Sequence, residues 1–92
     1  MERLTFTVKD KNGKEFTLEG IATYHDDDLN KDFIVYTDMT YDDEGKLRVY
    51  FSLYKNVNNK IELVDITTAE EKKIGLQLVR DVVETIIGTN NN

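Results

Sequence analysis

The stretch KDFIVYTD, residues 31–38, constrains the fold more than any other part of this sequence, because it is typical of a central strand. It carries Phe33, Ile34, Val35 and Tyr36 in a row. Such β-branched and aromatic residues fit the pleated surface of a strand, and strand-like runs lie on both sides of the stretch. The sequence therefore predicts a sheet organised around this strand.

Length and composition predict one globular domain. Ninety-two residues bury roughly 60 to 65% of the surface of the unfolded chain. The absence of cysteine excludes a disulfide framework and a thiolate metal site. No apolar run is long enough for a signal peptide or a membrane span, so we expect a cytoplasmic protein that does not contact membranes.

The charge of the chain bears on its partners. It has 12 basic and 18 acidic residues, for a net charge of −6. A chain of this sign repels a phosphate backbone unless its basic residues form a stripe, and the sequence has no such stripe. We expect no nucleic acid partner and no cofactor.

The first hairpin can be assigned a register from its apolar pattern. Residues 4–8, LTFTV, alternate strictly, and residues 10–14, DKNGK, are typical of a three-residue loop that ends in Gly13 at positive φ. A two-residue Asn-Gly turn would set Val8 against Thr17, whereas the longer loop places the apolar residues on one face. The predicted pairs are Asp10 with Lys14, Val8 with Phe16, and Phe6 with Leu18.

The second strand runs from Glu15 to about Tyr24 and changes phase in the middle. Ile21 falls on the other face from Leu18 unless Gly20 forms a bulge, and glycine is common at bulges. The segment that follows, HDDDLNKD at residues 25–32, is predicted to be a loop.

The third strand, residues 31–40, leads into an acidic turn at residues 42–46 and a fourth strand at residues 47–55. Setting Asp42 opposite Lys46 predicts an apolar face and a tyrosine-rich face. The apolar face pairs Val35 with Leu53, Thr37 with Phe51, and Met39 with Val49. The other face sets Ile34, Tyr36, Asp38 and Thr40 opposite Tyr54, Ser52, Tyr50 and Arg48.

The fifth strand, residues 60–65, has two possible registers. An Asn58-Asn59 turn would place Val64 beside Leu53, and a longer loop would place Leu63 there.

A C-terminal helix is predicted from Thr68 to about Ile87. Thr68 and Glu71 form a capping box, Gly88 is the expected αL stop, and residues 90–92 are an expected frayed tail. The apolar arc is about 220° wide, more than a helix on a sheet needs. Either the helix sinks into a curved sheet, or its far edge contacts a partner or a second copy. The arc consists of Ile74, Leu76, Leu78, Val79, Val82, Val83, Ile86 and Ile87.

These elements predict an α+β fold, a five-stranded antiparallel β-meander with one C-terminal α-helix packed on one face. The sheet is expected over about residues 3–66, the helix over about 68–87 and the tail over 88–92, all in a single domain of residues 1–92. The apolar set expected to be buried is Leu4, Phe6, Val8, Phe16, Leu18, Phe33, Val35, Met39, Val49, Phe51, Leu53, Ile74, Leu78, Val82 and Ile86.

Several segments together resemble a known family. They are the turn at residues 10–13, the strand at residues 16–24, NKDFIVY at residues 30–36, the acidic turn, and residues 63–71. Over about residues 4–87 the chain resembles the bacterial family called domain of unknown function 1292. The resemblance implies a small cytoplasmic protein of Gram-positive type bacteria and no known activity. Lys72 stands where the family usually has a tryptophan, and the family is more acidic at its end.

The tyrosine-rich face is the leading candidate site. Tyrosine and arginine are enriched in binding hot spots, so an outward face of this composition suits protein contact. The alternative is that cross-strand aromatic pairs merely stabilise a solvent-facing sheet. Single-strand RNA platforms also use aromatic residues on a sheet but need a basic surround. The protein-binding candidates are Ile34, Tyr36, Arg48, Tyr50 and Tyr54.

The aspartate loop is a weaker candidate, for a divalent metal. Asp26, Asp28, Asn30 and Asp32 alternate as in a calcium loop. However, Lys31 replaces the required glycine and Thr37 the bidentate glutamate. The alternative is a solvated, turn-forming loop.

Catalysis has little support in the sequence. A histidine-assisted nucleophile would need His25 and Ser52 to meet, since the chain has no other histidine or serine. The leading hypothesis is a non-catalytic protein-binding or adaptor module, with a partner that carries basic patches. The alternatives are a self-associating structural protein, as a weak homodimer through the helix or a sheet edge, and a loop that responds to divalent metal.

Overall fold

The computed structural model describes residues 4–9 and 12–87. It is α+β, with five antiparallel strands in chain order across one sheet and a single C-terminal helix, so the predicted fold is confirmed. The first and last strands approach each other, and the sheet is a nearly closed barrel. The elements are β1 (Leu4–Lys9), β2 (Glu15–Asp26), β3 (Lys31–Thr37), β4 (Tyr50–Val57), β5 (Lys60–Val64) and α1 (Ala69–Val82), which a π-helical turn (Val83–Ile87) continues.

The central strand β3 is buried on both faces. Phe33 and Ile34 have no exposed surface and Val35 is 1% exposed. Phe33 and Val35 lie on the face that packs against α1, and Ile34 points to the opposite face, into the barrel interior. Burial on both sides explains the uninterrupted apolar run of this strand.

The helix side of the sheet depends on a close approach at Gly75. A Cβ atom at this position would lie 2.1 Å from Cδ2 of Phe51, far inside van der Waals contact. Phe51 pairs directly with Val35 across β3 and β4. Gly75 therefore lets the helix backbone rest on the middle of the sheet.

The barrel interior holds a second apolar cluster. Phe6, Leu18 and Ile34 are its buried members. The Phe6 ring meets Tyr36 edge-on, with ring centroids 6.1 Å apart and an interplanar angle of 78°. Partly buried residues packed against this cluster are Val8, Tyr36, Tyr54, Ile61 and Leu63.

The predicted bulge in β2 is confirmed and divides the core between the two faces. Gly20 pairs with Tyr36 and Ala22 with Val35, so Ile21 is the extra residue. Before the bulge Leu18 lies on the interior face, and after it Ala22 lies on the helix face. The helix covers one face of the sheet, as predicted, but the bulge and the curvature of the sheet create a second apolar layer on the other face.

The two outer hairpins follow the predicted pattern. Phe6 pairs with Leu18 and Val8 with Phe16, and Gly13 has φ +80°. The predicted partner of Lys14, Asp10, lies outside the described residues. Between β4 and β5, Asn58 and Asn59 have φ of 52° and 66° and form the turn that sets Val64 beside Leu53, which decides between the two registers.

The register of β3 and β4 differs from the prediction by two residues. Tyr41 pairs with Leu47 as expected beside the acidic turn, but Val35 pairs with Phe51 instead of Leu53. The shift arises around Met39, which has φ +66°. A shift of two keeps every side chain on its predicted face.

Side-chain hydrogen bonds hold this irregularity. The Thr37 hydroxyl donates to the carbonyl of Arg48 (2.7 Å) and accepts from the amide of Met39 (3.0 Å). Thr37 is 2% exposed, so these bonds form in a dry environment. Consequently β3 ends at Thr37 and not at Thr40.

Other differences are local. Phe16 and Met39, which were predicted to be buried, are 42% and 46% exposed. β2 extends to Asp26, so the predicted loop at residues 25–32 is a four-residue turn at 27–30. The side chains of Leu4 and Ile86, the predicted stop at Gly88 and the predicted tail lie outside the described residues.

Replacing Ile34 with alanine tests the two-sided core. Removal of a fully buried isoleucine side chain costs about 2–5 kcal/mol of unfolding free energy. Urea denaturation of Ile34→Ala should show this loss, whereas Val57→Ala, at a position 37% exposed, should change stability by less than about 0.5 kcal/mol. If Ile34→Ala and Val57→Ala lost equally little unfolding free energy, the Ile34 side chain would face solvent.

Replacing Gly75 with alanine tests the helix approach. Alanine improves helix propensity by about 1 kcal/mol, but its Cβ clashes with Phe51, and overpacking costs about 1–3 kcal/mol. We expect thermal denaturation to show net destabilisation by Gly75→Ala in the wild type. The same change in a Phe51→Ala background should stabilise the protein, and destabilisation there would mean that the Phe51 ring is not what excludes a side chain at this position.

Candidate functional site

The tyrosine-rich face keeps its predicted members but not its predicted exposure. Tyr36 pairs with Tyr50, Ile34 with Ser52 and Asp32 with Tyr54. These alternate positions share one face of the sheet. That face is the barrel interior. Ile34 is fully buried, and Tyr36 and Tyr54 are partly buried against the interior cluster. The prediction that these three residues form an outward binding surface is wrong, because the sheet curls around them.

Two of the predicted binding residues remain exposed. Arg48 lies in the connection before β4, and Tyr50, the first residue of β4, is 38% exposed. The Tyr50 ring stacks on Tyr36 at a centroid distance of 5.7 Å and an interplanar angle of 29°. The Tyr50 hydroxyl also donates to Oδ2 of Asp38 at 3.4 Å. The ring stack and this long hydrogen bond both restrict the orientation of the exposed Tyr50 side chain.

The structure adds two residues to this exposed end. Met39 is 46% exposed and Tyr41 is 63% exposed. Both belong to the β3–β4 connection, which also contains Arg48. We call Met39, Tyr41, Arg48 and Tyr50 the hairpin-end surface. Strict alternation placed Met39 in the core, but β3 ends at Thr37 and Met39 lies beyond it with φ +66°, outside strand geometry.

The connection is held by two aspartates that cap its turns. Oδ1 of Asp38 accepts from the amide (3.1 Å) and the hydroxyl (2.6 Å) of Thr40. Oδ1 of Asp42 accepts from the amides of Glu44 and Lys46, each at 2.9 Å. The Thr40 hydroxyl chiefly lowers the pKa of Asp38, and the Lys46 amide chiefly lowers the pKa of Asp42. Both carboxylates are therefore ionised at neutral pH.

In the predicted metal loop, the carboxylates of Asp26 and Asp32 form hydrogen bonds within the protein. Oδ1 of Asp26 accepts from the amides of Asp28 (2.9 Å) and Leu29 (3.1 Å), and Asp26 is 9% exposed. Asn30 closes the turn with φ +52°. Oδ1 of Asp32 contacts Nδ1 of His25 at 2.8 Å. Within residues 4–9 and 12–87, no group of three or more His, Cys, Asp and Glu side chains is arranged to hold a metal ion.

His25 titrates in an acidic environment. It pairs directly with Asp32 across β2 and β3, and its Nε2 lies 3.5 Å from Oδ1 of Asp27. The hydrogen bond to Asp32 is the main cause of a raised pKa for His25. This geometry favours the charged imidazolium at the turn.

His25 and Ser52 do not form a catalytic pair. They lie on β2 and β4, with β3 between them. The Ser52 hydroxyl lies 2.9 Å from the carbonyl of Leu53 and 2.8 Å from that of Val64. The structure therefore does not join the only two side chains that the sequence offered for a histidine-assisted nucleophile.

Glu71 is a buried carboxylate that joins the helix to β3. Its side chain is 1% exposed and forms an ion pair with Lys31 at the start of β3. Oε1 also accepts from the amides of Thr67 (3.0 Å) and Thr68 (3.3 Å). The amide of Glu71 donates to the Thr68 hydroxyl at 3.1 Å, so the predicted capping box is confirmed. The Lys31 ammonium is the main cause that lowers the pKa of Glu71 to about 2.

The two sheet edges form an open groove. β1 and β5 approach each other without pairing, and the space between them has a volume of about 1040 Å³. Glu62 in β5 forms an ion pair with Lys55 of β4 (3.5 Å) beside this groove. The residues that line it come from β1, from β5 and from the turn before β5.

Comparison of the chain with models of protein families, with curated proteins and with solved structures gave no match. The resemblance to domain of unknown function 1292 stays a prediction. In the part of the chain that the structure describes, no helix has the length and apolar character needed to cross a membrane.

The pH dependence of stability tests the role of Glu71. Its pKa is depressed from 4.5 to about 2 in the folded protein, so its stabilising contribution is complete above pH 4.5 and is lost as the pH falls toward 2. Wild type should therefore exceed Glu71→Gln in unfolding free energy at neutral pH, and this difference should shrink toward zero near pH 2.

The matched control is Glu70→Gln, which changes an exposed carboxylate in the same helical turn. Chemical denaturation at a series of pH values should show that the unfolding free energy of Glu70→Gln differs little from that of wild type at every pH. A difference between wild type and Glu71→Gln that stays constant from neutral pH to pH 2 would contradict the proposed role.

Proposed function

We propose that this protein is a non-catalytic protein-binding module of the cytoplasm, with the hairpin-end surface as its contact site. The observation that carries the proposal is the exposed Tyr50 ring, which stacks on Tyr36 and is hydrogen bonded to Asp38. Tyrosine contributes large contact area for few rotatable bonds. A tyrosine already held in place loses less conformational entropy when a partner binds.

The neighbours of Tyr50 strengthen this proposal. Tyr41 and Met39 are exposed in the same β3–β4 connection, and exposed Arg48 adds a donor for carboxylates or carbonyls. Aromatic residues, methionine and arginine are the types enriched in protein interfaces. The hairpin-end surface thus has the composition of a small interface centre.

The charge around the hairpin-end surface favours a basic partner. Four carboxylates lie between residues 38 and 48 and are accompanied by only two cationic side chains, Lys46 and Arg48. The net charge of the whole chain is −6. Electrostatic complementarity therefore favours a protein surface rich in lysine and arginine and disfavours nucleic acid. An adaptor role, in which this partner is brought to a second protein, is consistent with the small size of the domain.

Self-association through a sheet edge has less support. β1 and β5 face each other across the groove, so a strand from a second copy can pair with either edge only by entering this groove. We therefore expect a monomer in the absence of a partner.

A paired set of variants tests the hairpin-end surface. The protein is used to capture partners from an extract of its source cells, and the strongest captured protein is then purified and titrated. Tyr41→Ser combined with Tyr50→Ser should weaken its affinity at least about tenfold, because hot-spot tyrosines contribute about 2 kcal/mol or more. Tyr41→Ser alone, at the more exposed position, should also weaken it.

Leu76→Ser serves as the matched control, since it removes an exposed apolar side chain from the helix instead. Thermal denaturation of each variant checks that the fold is retained. If Leu76→Ser lost binding of the partner while the tyrosine variants bound it fully, the hairpin-end surface would not be the contact site.

A further inference from the structure

The side of α1 that faces away from the sheet carries a row of exposed apolar residues at seven-residue spacing. Ala69 is exposed, Leu76 is 53% exposed and Val83 is 37% exposed. Seven residues are about two helical turns, so these three side chains follow one line along the helix. The contacts with the sheet are made from the other side, where Glu71 and Gly75 are buried.

Cationic side chains flank this apolar row. Lys72, Lys73 and Arg80 are all exposed, and the acidic residues Glu70 and Glu84 stand only at its two ends. A shallow groove of about 340 Å³ runs among these side chains. It is lined by Ala69, Lys72, Lys73, Leu76, Gln77 and Arg80.

This concentration of positive charge is unusual in the context of the chain. The chain as a whole carries −6, yet the middle of this helix face is cationic. Asp81, the acidic residue nearest in sequence to Arg80, accepts a hydrogen bond from Gln77 at 3.0 Å. We call Ala69, Lys72, Lys73, Leu76, Arg80 and Val83 the outer helix row.

We propose that the outer helix row is a docking site for an acidic amphipathic α-helix of another protein. Apolar residues on that helix at heptad spacing would cover Leu76 and Val83, as in other helix–helix recognition. Its glutamates or aspartates would face Lys72, Lys73 and Arg80, since opposite charges beside an apolar seam set partner choice.

Charge argues against a second copy of this chain as the occupant. In a parallel symmetric pairing, each cationic side chain of the row would lie near its own counterpart. In an antiparallel pairing centred on Leu76, Lys72 and Lys73 would lie near Arg80 of the other copy. Like charges across a helix interface are unfavourable in either case.

The outer helix row is separate from the hairpin-end surface, so this inference goes beyond the proposed function and does not depend on it. The row lies on α1, and the hairpin-end surface lies on the β3–β4 connection. Variants of one surface are therefore controls for the other.

Binding of a synthetic acidic helix tests the proposal. The probe is a fluorescent peptide of about three heptads with leucine at positions a and d and glutamate at positions e and g, whose glutamates disfavour pairing with itself. Fluorescence anisotropy with the full chain should show saturable binding that weakens as salt is added. Lys73→Glu combined with Arg80→Glu should weaken it at least about tenfold, and so should Leu76→Ser.

The charge-reversed variant has a second expected result. It should bind the peptide in which lysine replaces each glutamate more tightly than wild type does, which simple misfolding would not produce. The Tyr41→Ser, Tyr50→Ser variant should bind the acidic peptide as wild type does. Failure of wild type to bind the acidic peptide, or tighter binding to a duplex oligonucleotide or to anionic lipid vesicles, would overturn the proposal.

Discussion

Burial of β3 on both faces is the constraint on which the rest of this structure depends. Phe33 and Val35 need the helix on one side, and Ile34 needs the curled sheet on the other. Because both faces of the central strand are covered, neither face of β3 is left as a broad surface for a ligand. Exposed apolar surface is then left at the hairpin end, on the outer side of the helix and along the strand edges. Both proposed contact sites follow from this distribution.

The attachment of the helix determines which of its sides faces outward. Gly75 allows the backbone to rest on Phe51, and the buried Glu71 carboxylate ties the first helical turn to Lys31 of β3. A buried carboxylate is tolerated only with full hydrogen bonding and a charged partner, and Glu71 has both. The contacts of Glu71 and Gly75 orient the helix so that Leu76 lies on its exposed side.

Local chemistry made much of the fold predictable. The bulge at Gly20, the capping box of Thr68 and Glu71, and the positive φ of Gly13 each follow from short-range sequence rules. The interior position of the tyrosines was not predictable in this way, because strand alternation tells which residues share a face but not whether the sheet curls around it. Met39 was misplaced because the alternating pattern continues past Thr37, whereas β3 ends there and Met39 takes a positive φ. The contact between Gly75 and Phe51 joins distant residues, so no local pattern could reveal it.

The most direct test of the two-sided core is a map of solvent contact in solution. NMR relaxation enhancement by a soluble nitroxide reports how closely solvent approaches each side chain. The structure predicts almost no enhancement at the Ile34 methyl groups, weak enhancement at the rings of Tyr36 and Tyr54, and strong enhancement at Tyr41 and Leu76. Enhancement at Ile34 equal to that at Leu76 would mean an open sheet with an outward tyrosine face, and it would contradict the burial of β3 on both sides.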